Sequence, residues 1–260
     1  MERGNRDLHG DFSDGRRLGV AVGEGPPRDH MSPGRVDKSA PRRAETVIFD
    51  VDGTLVDSAA DIHAALNHGL ALAGGGPVDF AAALRLIGLG LERSVEKVLA
   101  DRGRRLEGAE IVEVKSACTA YYDAHLLERT HLYAGVAETL AALRNTGMKL
   151  GVCTNKRAES TRRILSGLGI LDHFGVIIAR GMAAQDKPHP APLLAAIDTL
   201  AGHSSRAAMV GDTLADMQCA RAAGVAAIAV SYGYSDLPVA ELGADTSVDD
   251  FGELVAALRF

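Results

Sequence analysis

A short apolar run, Thr46 to Phe49, leads straight into Asp50-Val51-Asp52-Gly53-Thr54, two carboxylates separated by one residue with a glycine behind them. Asp50 stands where a buried strand should end and Asp52 lies two positions on, so both side chains can lean toward the same side of the strand mouth. Gly53 permits a turn tight enough to bring peptide groups near a small ligand. Neighbouring carboxylates repel unless one keeps a proton or a cation lies between them. The pair therefore points to metal-assisted chemistry with separate nucleophile and acid roles. An acidic turn capping a strand is the plainer alternative, because Asp and Gly are common turn formers. A calcium loop fits worse: the EF-hand pattern wants its glycine two positions later and a glutamate at its end, where this chain has Asp61.

Three further positions carry polar groups beside apolar runs. Thr154-Asn155-Lys156 follows Lys149 to Cys153, offering a hydroxyl and an amide ahead of a helix whose free N–H groups favour an anion. An ordinary N-cap is the alternative for Thr154. Gly211-Asp212-Thr213 follows Ala207 to Val210, and Asp212 and Asp216 share a helix face at i and i+4. Capping explains Asp212 but leaves Asp216 without need. Carboxylates converging there on Asp50 and Asp52 would require a divalent cation, and hard oxygen ligands beside a phosphate favour Mg2+. Lys187 lies in Asp186-Lys187-Pro188-His189-Pro190, where the prolines stiffen a loop. Folded over the acidic edge, its ammonium could bridge Asp50 and a phosphoryl oxygen. A lone lysine is otherwise a solvated charge.

These groups need a scaffold that delivers them to one place. Strands are expected at Thr46 to Phe49, Lys149 to Cys153, Val176 to Ala179, Ala207 to Val210 and Val225 to Val230. Amphipathic helices near 136–146, 157–168, 190–201 and 214–223 alternate with them, several closed by Gly147, Gly169 and Gly224. That rhythm implies an α/β fold with a parallel sheet covered on both faces. In such sheets ligands bind outside the carboxyl ends of the strands, which is where Asp50, Thr154-Asn155-Lys156 and Gly211-Asp212-Thr213 fall. Residues 58–132 break the rhythm with helical patterns only, at Ala59 to Ala73, Glu92 to Ala100 and Ala109 to Leu127, joined by turns at Gly74-Gly75-Gly76 and Gly88-Leu89-Gly90. They are expected to form an inserted helical subdomain between core segments 45–57 and 133–260. Residues 1–44, rich in Gly, Pro, Arg and Asp without an apolar period, are expected to be a disordered tail.

A chain of 260 residues can bury one substantial core with a smaller second unit. A net charge of -6 argues against nucleic acid as the main partner. No apolar stretch reaches membrane-spanning length and no secretory signal opens the chain. Three scattered cysteines without metal-ligand spacing suit a reduced, cytoplasmic protein, and the nine histidines show no zinc pattern.

Taken in order, Asp50-Val-Asp52-Gly-Thr54, Thr154-Asn155-Lys156, Lys187-Pro-His-Pro and Gly211-Asp212-Thr-Leu-Ala-Asp216 resemble the four motifs of haloacid-dehalogenase-type phosphatases. Leu55-Val56-Asp57-Ser58, Ile87-Gly-Leu-Gly90 and Val152 to Lys156 look most like the phosphoglycolate phosphatase branch. The likeness runs from Thr46 to the C-terminus. It implies a Rossmann-like core with a helical cap inserted after the first motif, and an enzyme that hydrolyses a small phosphorylated metabolite such as 2-phosphoglycolate. By the same likeness Asp50 is the nucleophile and Asp52 the general acid/base. Thr154, with Asn155 beside it, binds the phosphoryl group, and Lys187 holds nucleophile and phosphate together. Asp50, Asp212 and the Asp52 carbonyl hold Mg2+, with Asp216 supporting the site.

Haloacid dehalogenases and phosphonatases resemble the chain less, since both lack an acid at the position of Asp52. A β-phosphoglucomutase-like enzyme would place a histidine at what is here Ile62, one position from His63. A non-enzymatic binding protein on this fold would typically have lost the nucleophile or the lysine. In the cap, Arg85, Arg93 and Lys97 flank the Gly88 to Gly90 turn, and Arg85 with the turn's amides is the candidate partner of a substrate carboxylate. The sequence leaves open whether the protein forms a homo-oligomer.

Overall fold

The computed structural model describes residues 44–259. The expected tail, residues 1–44, lies outside the described residues except for Ala44. That residue is buried, and its amide donates to the Leu258 carbonyl at 3.0 Å, so it belongs to the folded body rather than to a tail.

In chain order the elements are β1 (Thr46–Phe49), β2 (Val56–Asp57), α1 (Ala59–Leu72), α2 (Phe80–Leu84), α3 (Leu91–Asp101), α4 (Gly108–Ala124), β3 (His131–Leu132), α5 (Val136–Asn145), β4 (Lys149–Cys153), α6 (Ala158–Gly167), β5 (Val176–Ile178), α7 (Ala191–Thr199), β6 (Ala207–Gly211), α8 (Leu214–Ala223), β7 (Ala226–Val230), β8 (Thr246–Val248) and α9 (Leu254–Ala257). Six strands form one parallel sheet in the order β5-β4-β1-β6-β7-β8, with β1 between β4 and β6.

Burial on both faces explains the continuous apolar runs of β1 and β6, in which every residue is buried. Alternation divides them: Val47 and Phe49 pack with α5, α6 and α9 residues such as Leu140, Ile164 and Leu254, whereas Ile48 and Met209 pack with Leu193 of α7 and Met217 of α8. Val136, Leu140 and Leu143 follow helical spacing and form the buried stripe of α5.

Between β2 and β3, which pair as a two-residue antiparallel ribbon, the chain forms α1 to α4. These helices share a separate apolar cluster containing Leu66, Leu70, Val95, Leu99 and Val114. Asp61, near the start of α1, is buried and accepts from the amides of Arg129 and Thr130 at 3.0 and 2.9 Å, tying the two connections to one another. No helix among the described residues is long and apolar enough to cross a membrane.

Candidate active site

β1, β4 and β6 end side by side, and their last residues lead directly into Asp50, Thr154 and Asp212. The Asp50 amide prolongs the ladder by donating to the Val210 carbonyl at 2.9 Å, and the Thr154 amide does the same to Ile178 at 3.0 Å. Parallel neighbours in register thus bring three polar groups, distant in sequence, to one edge. Lys187 reaches that edge from the loop between β5 and α7. Asn155 holds this loop in place: its side chain accepts from the Lys187 amide at 3.0 Å and donates to the Lys187 carbonyl at 3.1 Å. Asn155 is therefore committed to the lysine's backbone, although it also borders the cavity.

Oxygen atoms of Asp50, Asp212 and Asp216 lie within 4.8 Å of one another, all on buried residues. Burial is the main force raising Asp50 to about 6; Lys187 opposes it, and Asp216 and Asp52 add repulsion. Asp212 is pushed well above the ordinary carboxylate range by burial, then by Asp216 and Asp50. Asp50 Oδ1 stands 3.0 Å from Lys187 Nζ, an ion-pair distance, yet has no aligned hydrogen-bond donor. Clustered hard donors, raised carboxylates and an unsatisfied buried oxygen fit a divalent cation of the Mg2+ type.

Of the two C-terminal aspartates, the capping alternative raised for Asp212 falls to the other. Asp216, not Asp212, does the capping: Thr213 is the N-cap of α8, and its amide and hydroxyl donate to Asp216 Oδ2 at 3.0 and 2.6 Å. Asp216 Oδ1 accepts from Lys187 at 2.6 Å. Asp212 accepts instead from the Thr54 hydroxyl at 2.9 Å and the Tyr234 amide at 2.8 Å, with both groups steering its carboxylate toward Asp50. Gly53 is required here: its φ is +83°, and a Cβ would lie 2.2 Å from Asp212 Oδ2. Lys187 is buried, which would discharge it, but Asp216 and Asp50 outweigh burial and keep it protonated. Thr154 is not an N-cap, because α6 starts four residues later. Its hydroxyl lies beside Asp50 and accepts from the Lys156 amide at 3.2 Å.

Asp52 faces a different set of partners. Its carboxylate accepts from Lys156 Nζ at 2.8 and 3.0 Å and from the Ser58 hydroxyl at 2.5 Å, and does not join the three-aspartate cluster. Lys156 also donates to the Tyr122 hydroxyl of α4 at 2.5 Å. Burial pushes the Tyr122 phenol up to about 12, so it stays protonated.

A cavity separates the strand ends from the helical segment, with Asp50, Thr154 and Lys187 on one wall and Ile62, Ile87 and Tyr122 on the other. Arg85 does not reach it. This residue caps the C-terminal end of the five-residue α2 and is exposed, as is Arg93, while Lys97 pairs with Asp101 at 3.0 Å on the surface. The amides of Leu89 and Gly90 are used within their own turn, by the carbonyls of Leu86 and Ile87. The cavity's positive groups come from elsewhere: Lys156, Arg157 and Lys187, and Arg180 from the loop after β5. Lys156 belonged to a recognisable motif. Tyr122, Arg180 and Tyr234 carried no local signal, because only packing brings them to the site.

Comparison with known proteins agrees with this geometry. Residues 47–230 match the model of the haloacid dehalogenase-like hydrolases. A protein named phosphoglycolate phosphatase from Rhodospirillum rubrum is 40% identical over 83% of this chain and 91% of its own length. One of the same name from Agrobacterium fabrum is 38% identical over 81% and 91%. Among solved structures, one described as a predicted phosphoglycolate phosphatase from Haemophilus somnus superposes with a TM-score of 0.79 at 28% identity, covering 83% of this chain and 98% of that one. The structure described as CbbY from Rhodobacter sphaeroides in complex with phosphate gives 0.71 at 28% identity, over 83% and 99%. Motifs, fold and relatives agree: the chain belongs to the haloacid dehalogenase-like hydrolase family.

Proposed function

We propose that this hydrolase is an Mg2+-dependent phosphatase that converts 2-phosphoglycolate to glycolate and phosphate through an aspartyl-phosphate intermediate. The observation that carries the reading is the meeting of Asp50, Asp212, Asp216 and Lys187 at one sheet edge, with Asp50 and Lys187 lining the cavity beneath the helical segment. Relatives named phosphoglycolate phosphatase support phosphoric monoester hydrolysis as the reaction class.

In this reading residues 58–132 are the cap over a core of 45–57 and 133–260. Thr154 and Lys187 orient the phosphoryl group, and Asp50 attacks phosphorus. As the ester bond breaks, Asp52 gives its proton to the departing alkoxide. Asp52 then takes a proton from water, whose oxygen attacks the aspartyl phosphate, releasing phosphate and restoring Asp50. Lys156 and Ser58 hold Asp52 at the required angle, while Asn155 and Asp216 hold Lys187. Asp50, Asp212 and the Asp52 carbonyl would bind Mg2+, with Asp216 in support; when bound, the ion offsets repulsion between Asp50 and the phosphoryl oxygens. The reading places the protein in the cytoplasm, in keeping with three free buried cysteines.

A mutase has less support. Ile62 lines the cavity where such an enzyme needs a histidine, and His63 turns away to the Val78 carbonyl at 2.9 Å.

The test is turnover of a phosphomonoester panel with and without Mg2+, alongside Asp50→Asn. Turnover should depend on Mg2+ and be highest with 2-phosphoglycolate, and Asp50→Asn should abolish it with the circular dichroism unchanged. Substantial residual turnover in Asp50→Asn would remove the assignment.

A further inference from the structure

Four cations line the cavity: Lys156, Arg157, Arg180 and Lys187. Three are held by hydrogen bonds to carboxyl groups of the protein. Lys156 spans both oxygens of Asp52, Lys187 sits between Asp50 and Asp216, and Arg157 grips both oxygens of Asp123 and bonds the Ser160 hydroxyl at 3.0 Å. Arg180 is different. Its Nη2 donates to a neutral acceptor, the Leu89 carbonyl, at 2.6 Å. Its Nε forms an ion pair with Asp186 Oδ2, but at 3.8 Å the contact is too long for a hydrogen bond, and the buried Nε has no hydrogen-bond partner among the described residues. A buried N–H of a charged group left unsatisfied is costly, so the contacts in place do not fully satisfy the guanidinium.

Arg180 also occupies a suitable place. It leaves the core just after β5, in the loop that carries Lys187, and crosses to the turn Ile87–Leu89 of the helical segment. Gly90 makes room for it: φ there is +85°, and a Cβ would lie 2.1 Å from Arg180 Nη1. The guanidinium thus lines the cavity and touches the segment that closes it. A guanidinium suits a carboxylate, which it can bind through two parallel N–H groups.

We propose that Arg180 receives the substrate's carboxylate and makes the enzyme selective for phosphomonoesters bearing one. The inference rests on the phosphoglycolate reading above and replaces Arg85 as the residue that recognises the acid. A substrate without a carboxylate leaves Arg180 in the state it already has, so removing the residue should separate two substrates of similar size.

The experiment measures kcat/KM for 2-phosphoglycolate and for propyl phosphate in the parent, Arg180→Ala and Arg180→Lys, with circular dichroism as a folding control. The parent should prefer phosphoglycolate. Arg180→Ala should lose roughly 10- to 100-fold on phosphoglycolate, the range of a charge-assisted hydrogen bond, and several-fold less on propyl phosphate. Arg180→Lys should recover part of the preference, because charge returns without the planar fork. A parent that prefers phosphoglycolate and an Arg180→Ala variant that keeps the preference, or that loses equally on both substrates, would overturn the inference alone. A parent without the preference would overturn the substrate reading as well. If Arg180→Ala does not fold, Arg180→Gln takes its place in the same comparison with Arg180→Lys and must show the same loss of preference.

Discussion

Lys187 Nζ donates to Asp216 Oδ1 at 2.6 Å, and the other oxygen of that carboxylate caps α8 through Thr213. One aspartate therefore fixes the lysine to a helix end, leaving the ammonium 3.0 Å from Asp50 and directed at the cavity. In Asp216→Asn the single amide oxygen can still serve the cap, but the amide NH2 then faces the Lys187 ammonium and the ion pair is lost. Activity should fall by about 100-fold, comparable to losing one electrostatic stabiliser of a transition state. The far-ultraviolet dichroism should stay native. An unchanged kcat/KM would show that Asp50 alone is enough to place Lys187.

Asp52 and Lys156 form the second such unit, and its role can be read from leaving groups. Asp52→Asn should slow alkyl phosphates severely, because their alkoxide needs a proton as it departs, and an activated aryl phosphate much less. Lys156→Met should give the same pattern in milder form, since it leaves the acid present but releases its orientation. Single-turnover phosphorylation of both substrate types measures this directly. Equal losses on both would assign Asp52 and Lys156 to binding rather than proton transfer.

The core could be read from sequence because Asp50, Thr154 and Asp212 each follow an apolar run and Lys187 lies in a proline-marked loop. Asp50, Thr154 and Asp212 were visible since β1, β4 and β6 are buried on both faces and carry no polar residue except at their ends. β2 and β3 were not, being two residues each, and β8 has only one buried residue in three. The helical segment was legible as helices but not as a surface. Position along the chain near a glycine turn suggested Arg85, yet the register of α2 leaves that side chain in water, whereas Arg180, ninety-five positions later, is carried into the cavity by the sheet.

Arg85→Ala should accordingly leave kcat/KM for phosphoglycolate within about twofold of the parent, as for other exposed substitutions away from a site. A loss of tenfold or more, selective for phosphoglycolate, would return the carboxylate to Arg85 and mean that the helical segment rearranges on binding.

The buried carboxylates give a final prediction about pH and metal. Burial pushes Asp50 up from an ordinary 3.8 to about 6 in the metal-free protein, and Asp212 is raised too. Groups raised on folding hold protons more tightly in the native state, so their contribution to stability is present below the ordinary value and lost as pH rises through the folded one. For Asp50 that window lies between pH 4 and 6, with a loss of roughly 1–3 kcal/mol by neutral pH. A bound divalent cation offsets the same repulsion. Mg2+ should therefore raise Tm by several degrees more at pH 7.5 than at pH 5, since about 1 kcal/mol moves Tm by 2–4 °C in a domain of this size. Asp212→Asn should melt no lower than the parent at pH 7.5 in chelator, having lost a buried charge, and should show almost no Mg2+ shift. Thermal scans of both proteins at the two pH values, with Mg2+ or chelator, give the answer. An Mg2+ shift that is the same at both pH values, or that survives in Asp212→Asn, would place the cation away from these aspartates.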